Sequence, residues 1–154
     1  MRLPRISFPS VLLLLLFAIP ATRASASDDT LLDATQLTQL EAKAEHAAAR
    51  EQCFLYTELV HNYTAIAGKQ LGAGETEKAS ATLKRVQGFA ARIHVGLASN
   101  TSKLKNAEML LHTATRNLGE YMHHASNEDK DVLAATLKEL DKVNDELLAQ
   151  VFAH

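Results

Sequence analysis

After Pro20 the chain contains no proline, and the 134 residues that follow are rich in Ala, Leu, Lys, Glu and Gln. A chain that never removes a backbone donor and favours the best helix formers is free to run as helix almost from end to end. The apolar residues agree. Leu104, Ala107, Leu111, Ala114, Leu118, Tyr121 and Ala125 recur in alternating steps of three and four, as do Ala79, Leu83, Val86, Ala90, Ile93 and Leu97. Each set forms one stripe down a helix.

Four helical segments are predicted on this basis. The first runs from about Asp33 to Leu71, ends in Gly-Ala-Gly at 72–74, and offers the stripe Cys53, Tyr56, Val60, Tyr63 and Ala67. It exceeds the usual length of a globular helix, so a bend or break is expected near Ala47 to Gln52. The second runs from about Glu75 to Ala98, and the third from about Ser102 to Ala125, with Ser-Asn-Thr-Ser at 99–102 able to cap its start. Ser126-Asn-Glu-Asp129 reads as an N-cap with acids in the first turn of a fourth helix reaching about Phe152. Its stripe is Leu133, Thr136 or Leu137, Leu140, Val143 or Asn144, Leu147 and Val151. Helices of this length joined by short connections imply an all-α, up-down antiparallel four-helix bundle with a long N-terminal helix or helical arm.

The first 26 residues read differently. Arg2 and Arg5 give a positive start, Val11 to Ile19 is an uninterrupted apolar run, Pro20 ends it, and Ala24-Ser-Ala26 supplies small residues for a signal peptidase. This is the layout of a signal peptide (1–26), leaving a single helical-bundle domain over 27–154 that is exported, periplasmic or secreted. The run is shorter than the roughly 20 apolar residues a spanning helix needs, so no stable membrane anchor is expected after cleavage. Of the 16 basic residues, Arg2, Arg5 and Arg23 lie in this segment, and none of the 18 acidic residues does. The mature domain therefore carries a net charge of about minus five with His neutral, which disfavours nucleic acid and anionic lipid as partners.

Cys53 is the single cysteine. With no internal disulfide partner and no Cys-x-x-Cys context, it reads as a small buried side chain. Asn62 and Asn100 begin glycosylation sequons, the former in mid-helix.

Two tetrapeptides carry the most specific chemical signal. Glu58-Leu-Val-His61 and Glu120-Tyr-Met-His123 have the Glu-x-x-His spacing and in this resemble carboxylate-bridged di-iron four-helix bundles. That resemblance implies inward-facing ligands and a further mid-helix Glu on each of two other helices. The second helix has no Glu after Glu77. At about 100° per residue, Glu58, His61, Glu120 and His123 each lie roughly 150° from their helix's apolar stripe. A solvated face is the expectation, with no metal or other cofactor. The alternative is a surface site for a transition metal drawn from Glu58, His61, His112, Glu120, His123 and His124, since imidazole is the commonest ligand for such ions. Glu108, His112 and Arg116 form an i, i+4, i+8 ladder that is accounted for by helix-surface pairing.

Leu37-Thr-Gln-Leu-Glu41 is similar to the Leu-Thr-x-x-Gln motif of small periplasmic all-helical stress proteins, with Glu41 in place of Gln. No phosphate loop, nucleophile elbow or His-Glu-x-x-His occurs, and no catalytic residues are assigned. The expected function is that of a non-catalytic interaction or structural protein. It would act on an unknown protein partner or as a homodimer, using the amphipathic arm from Leu31 to Ala49. A periplasmic metal-binding or metal-sensing bundle is the alternative.

Overall fold

The computed structural model describes residues 31–93 and 101–152. The expected signal peptide at 1–26, Asn100 and the Ser99–Ser102 cap signal lie outside the residues whose side chains are described. The described chain is all helical: α1 (Ala34–His46), α2 (Ala49–Gly72), α3 (Thr76–Ala90), α4 (Thr101–His124) and α5 (Asn127–Phe152). None of these helices is long and apolar enough to cross a membrane.

The long first segment breaks as expected, at Ala47 and Ala48, which are both extended (ψ 156° and 144°). Alanine is the strongest helix former, so local preference does not cause this break. Tertiary packing does. The two extended residues fold α1 back along α2, which buries Leu37, Leu40 and Ala44, and each buried Leu is worth about 1.5–3 kcal/mol. A capping box starts α1: the Asp33 carboxylate accepts from the Gln36 N–H at 2.8 Å, and the Gln36 side chain accepts from the Asp33 N–H at 2.9 Å. At its other end the Gln52 amide donates to the Ala44 carbonyl at 3.1 Å, satisfying an acceptor that the broken helix leaves over.

α2 touches α3, α4 and α1, and for this reason it is buried on nearly every side. Beyond its predicted stripe it buries Leu55, Thr57, Leu59, Asn62 and Thr64. Thr57 donates back to the Cys53 carbonyl at 2.7 Å, so its hydroxyl enters the core already bonded.

The remaining contacts run α3 to α5 and α5 to α4, and among the described residues neither α2 with α5 nor α3 with α4 adjoins. The spatial order around the bundle is thus α2, α3, α5, α4. Lys103 meets Glu51 at 3.1 Å near the starts of α4 and α2, and the Tyr121 ring lies on Gly68 near their ends, so these two neighbours run in the same direction. α3 and α5 also run in the same direction, with Gln87 donating to Thr136 at 2.8 Å and both helix starts at one end. Direction alternates along the chain, but α3 and α4 sit diagonally, unlike the simplest up-down ring in which every neighbour is antiparallel.

The α5 stripe resolves to Thr136 and Val143, with Leu137 and Asn144 at its edges. Thr136 is tolerated in the core because its hydroxyl both accepts from Gln87 and donates to the Val132 carbonyl at 2.7 Å. α3 is shorter than expected. It ends at Ala90, not near Ala98, where Arg92 and Ile93 bond back to the Phe89 and Ala90 carbonyls in a tightened turn. The turn buries Ile93 and points Arg92 toward Glu45 of α1 at 3.5 Å.

Candidate functional site

The histidines and glutamates of the two tetrapeptides do not come together. On the side of α2 that faces α4, Glu58 and His61 lie beside Leu110, and His61 also borders a cleft with Thr113, Arg116 and Asn117. Since α2 and α4 run in parallel, Glu120 and His123 sit further along α4, beyond the level of Glu58 and His61. Among the described residues no three His, Cys, Asp or Glu side chains are placed to hold a metal ion.

Glu58 and His61 are half-buried, whereas the sequence places them on a solvated face. The cause is the segment at Leu31 and Leu32, which lies across α2 and α4 and helps to line the clefts beside them. His112, Glu120, His123 and His124 are exposed. Arg116 pairs with Glu120 at 3.9 Å. Asn62 is buried, accepting from the Leu32 N–H at 3.2 Å and donating to the Glu58 carbonyl at 2.9 Å. Its amide is a structural clip between the arm and α2, inaccessible to a glycosyl transferase in the folded chain. Cys53 is buried as expected, and burial pushes its thiol up to about 11, so it is a poor nucleophile near neutral pH.

Where α1 crosses α2 and α3, a polar cluster is closed on itself. The Tyr63 hydroxyl and the Arg85 guanidinium both donate to Glu41, and Arg85 lies 4.3 Å above the Tyr63 ring. Tyr63 in turn packs against Phe89 with ring centroids 5.4 Å apart. Burial, followed by the hydrogen bond to Glu41, raises the Tyr63 phenol to about 12. A second set, Arg92 with Glu45 and the Tyr56 ring, repeats the arrangement one level along. These groups fasten α1 to α2 and α3.

The opposite end of α2 is built differently. A cavity of about 600 Å³ opens where the α2–α3 turn meets the α4–α5 turn, walled by Gly68, Leu71, Gly72, Tyr121, Ala125 and Asp129. Small residues create this space. A Cβ at Gly72 would meet nothing within 4 Å, and Gly74 adopts φ 73°, which turns the chain sharply into α3. Gly68 has a different role: a Cβ there would stand 2.2 Å from Tyr121 Cζ, so the bare backbone is what lets the ring approach α2 so closely. The same ring and glycine also border the neighbouring cleft of about 520 Å³ that contains His61. Tyr121 therefore forms the partition between two spaces. Burial, and secondarily the charge of Glu120, raises its phenol above the usual tyrosine value.

Asp129 is the chemically distinctive part of that wall. Ser126 caps α5, accepting from the Asp129 N–H at 3.3 Å and donating its hydroxyl hydrogen to Asp129 Oδ2 at 2.7 Å. The side chain is 5% exposed, and its other oxygen, Oδ1, is buried with no hydrogen-bond partner. The Ser-Asn-Glu-Asp signal identifies this residue as part of a cap. Nothing in the linear sequence shows that the cap faces a cavity, because the opposite wall comes from α2. Compared with family models, curated proteins and solved structures, the chain matches none.

Proposed function

We propose that the protein is an exported helical bundle that acts by binding, without catalysis, and that the cavity at the joined turns is its binding site. The observation that carries this reading is the cavity of about 600 Å³ at the joined turns, walled mainly by small and apolar residues with Tyr121, His124 and Asp129 among its polar lining. That volume falls within the range of small-molecule sites, which are mostly apolar with a few placed polar groups.

Export rests on the leader at 1–26, and the architecture is read as four long helices, α2 to α5, with α1 as an arm folded onto them. The arm was the expected surface for a protein partner or a homodimer. Its Leu37, Leu40 and Ala44 are spent inside the chain, and the binding role accordingly moves to the cavity. The metal-binding alternative through exposed histidines has no assembled ligand set behind it among the described residues.

The test is to express the chain with its own leader, recover the mature protein and screen it by NMR against a mixture of small apolar and amphipathic molecules. Recovery outside the cytoplasm with Ser27 as the first residue is expected, as are shift changes clustered at Gly68, Gly72 and Tyr121. Cytoplasmic retention would overturn export. Shifts scattered over the surface, or bound metal that tracks His112, His123 and His124, would overturn the cavity reading.

A further inference from the structure

We infer that the acidic pair Asp28 and Asp29, which leads into the arm, docks in the cleft between α2 and α4 and pairs there with Lys69 and Arg116. The inference goes beyond the binding role proposed for the cavity at the joined turns and does not depend on it. Asp28 and Asp29 lie outside the described residues; what points to their place is the groove that the chain leads from.

The course of the arm gives the direction. Leu32 is anchored by its N–H bond to Asn62 Oδ1 at 3.2 Å and lines the smaller cleft with Phe54, Glu58 and Leu110. Leu31 lines that cleft too, and also the cleft of about 520 Å³ walled by His61, Ala65, Lys69, Thr113, Arg116 and Asn117. One residue backward along the chain is therefore a step along the groove, toward the ends of α2 and α4. Asp29 and Asp28 stand two and three residues before Leu31. An extended chain spans at most about 3.6 Å per residue, so they can lie up to about 7 and 11 Å beyond it. Lys69 is about 6 Å along α2 from Ala65, which shares the cleft with Leu31.

Charge gives the fit. Among the described residues the larger cleft has no Asp or Glu in its wall, although the chain as a whole has 18 acids against 16 bases. Lys69 has no acidic partner among the described residues. Arg116 meets Glu120 at 3.9 Å with the two side chains 64% and 67% exposed. So open a pair is weak, and the guanidinium can still hold a carboxylate through two parallel N–H···O bonds. Glu58, the other acid nearby, lines the smaller cleft. A segment tethered two or three residues from a fixed anchor meets these cations at high effective concentration. An acidic segment of a separate protein would give up its translational freedom to do the same. The chain's own segment is the occupant that the groove favours.

The experiment measures NMR order parameters at Asp28, Asp29 and Thr30 in the full mature chain. Values above about 0.6 are expected in the parent, the lower bound of an ordered backbone. Asp28→Asn with Asp29→Asn, and separately Lys69→Gln with Arg116→Gln, should each drop them below that bound. The accompanying shift changes should be confined to Lys69, Arg116 and Asn117. Lys69 and Arg116 are exposed, so the spectrum elsewhere should remain that of the parent. Lys69→Glu with Arg116→Glu should likewise release the segment, and adding Asp28→Lys with Asp29→Lys should restore its order, a recovery that a merely structural effect would not produce. A parent segment below the bound would overturn the docking. Order that survives both neutralised pairs would overturn the assignment of Lys69 and Arg116. Contacts from Asp28 or Asp29 seen only between differently labelled copies would put a second copy's segment in the groove and overturn the intramolecular reading.

Discussion

The two ends of α2 are finished in opposite ways. Before its last turns, α1 lies along it and the polar side chains of the contact pair with one another: Tyr63 and Arg85 converge on Glu41, and Arg92 reaches both Glu45 and the Tyr56 ring. Toward its other end, glycines at 68, 72 and 74 leave room, and Asp129 keeps an oxygen unbonded in the wall. One end spends its polar groups on the fold, and the other withholds one. A satisfied network rigidifies and stabilises, whereas a half-satisfied one costs stability and is retained where something outside the fold completes it.

This contrast can be broken most severely at Tyr63. Truncation to Ala removes a buried ring from Phe89 and Arg85 together with its bond to Glu41, and should cost about 3–5 kcal/mol in urea unfolding. Tyr63→Phe should cost about 1 kcal/mol, the usual net worth of one hydrogen bond. A cost near zero for both would mean that α1 is not fastened there. At the other end, Gly68→Ala forces the Tyr121 ring off α2 and should destabilise by about 1–3 kcal/mol, as overpacking does. An unchanged melting temperature would show that the ring yields freely, and that the partition between the two spaces is soft.

Raising the pH sharpens the comparison without mutation. Cys53 and Tyr63, both on the tightly packed side, hold their protons more firmly folded than unfolded. Their stabilisation is complete below the unfolded values of 9.0 and 10.0, and it is lost as pH rises through about 11 for the thiol and about 12 for the phenol. Unfolding free energy should therefore fall above pH 9, and Cys53→Ala should remove the lower part of that fall. The smallest effect is expected at Asp129→Asn, within about 0.5 kcal/mol, because the oxygen it alters contributes no bond to the fold. A loss comparable to that of Tyr63→Ala would mean that Asp129 is a structural keystone and the contrast between the ends is false.

The stripes of α3, α4 and α5 are legible in the sequence because a residue repeated every three or four positions has a single face to occupy, and Leu83, Leu111 and Leu118 are all fully buried. The break in the first segment is legible in place but not in cause. Ala47 and Ala48 carry no breaker signal, and the hairpin they form is selected by what α1 buries. The enclosure of α2 is hidden for another reason: Thr57, Asn62 and Thr64 are polar in the sequence, and two of them enter the core by bonding main-chain groups. The cavity is the least legible part, since its two walls lie about fifty residues apart in the chain and meet only through the diagonal order of the helices.

The hinge at Ala47 and Ala48 has a consequence for the unfolded chain. Ala48 sits at φ −60° and Ala47 at ψ 156°, the two conditions that a proline at 48 imposes on itself and on its predecessor. The native backbone thus already has the shape of a proline turn while the sequence leaves the unfolded ensemble its full alanine freedom. Ala48→Pro should stabilise the fold by about 0.4–1 kcal/mol by removing that freedom alone, whereas in an uninterrupted helix the same residue would cost about 3 kcal/mol. The sign of one substitution thus reads out, in conformational entropy, whether the arm is hinged in solution as it is in the structure.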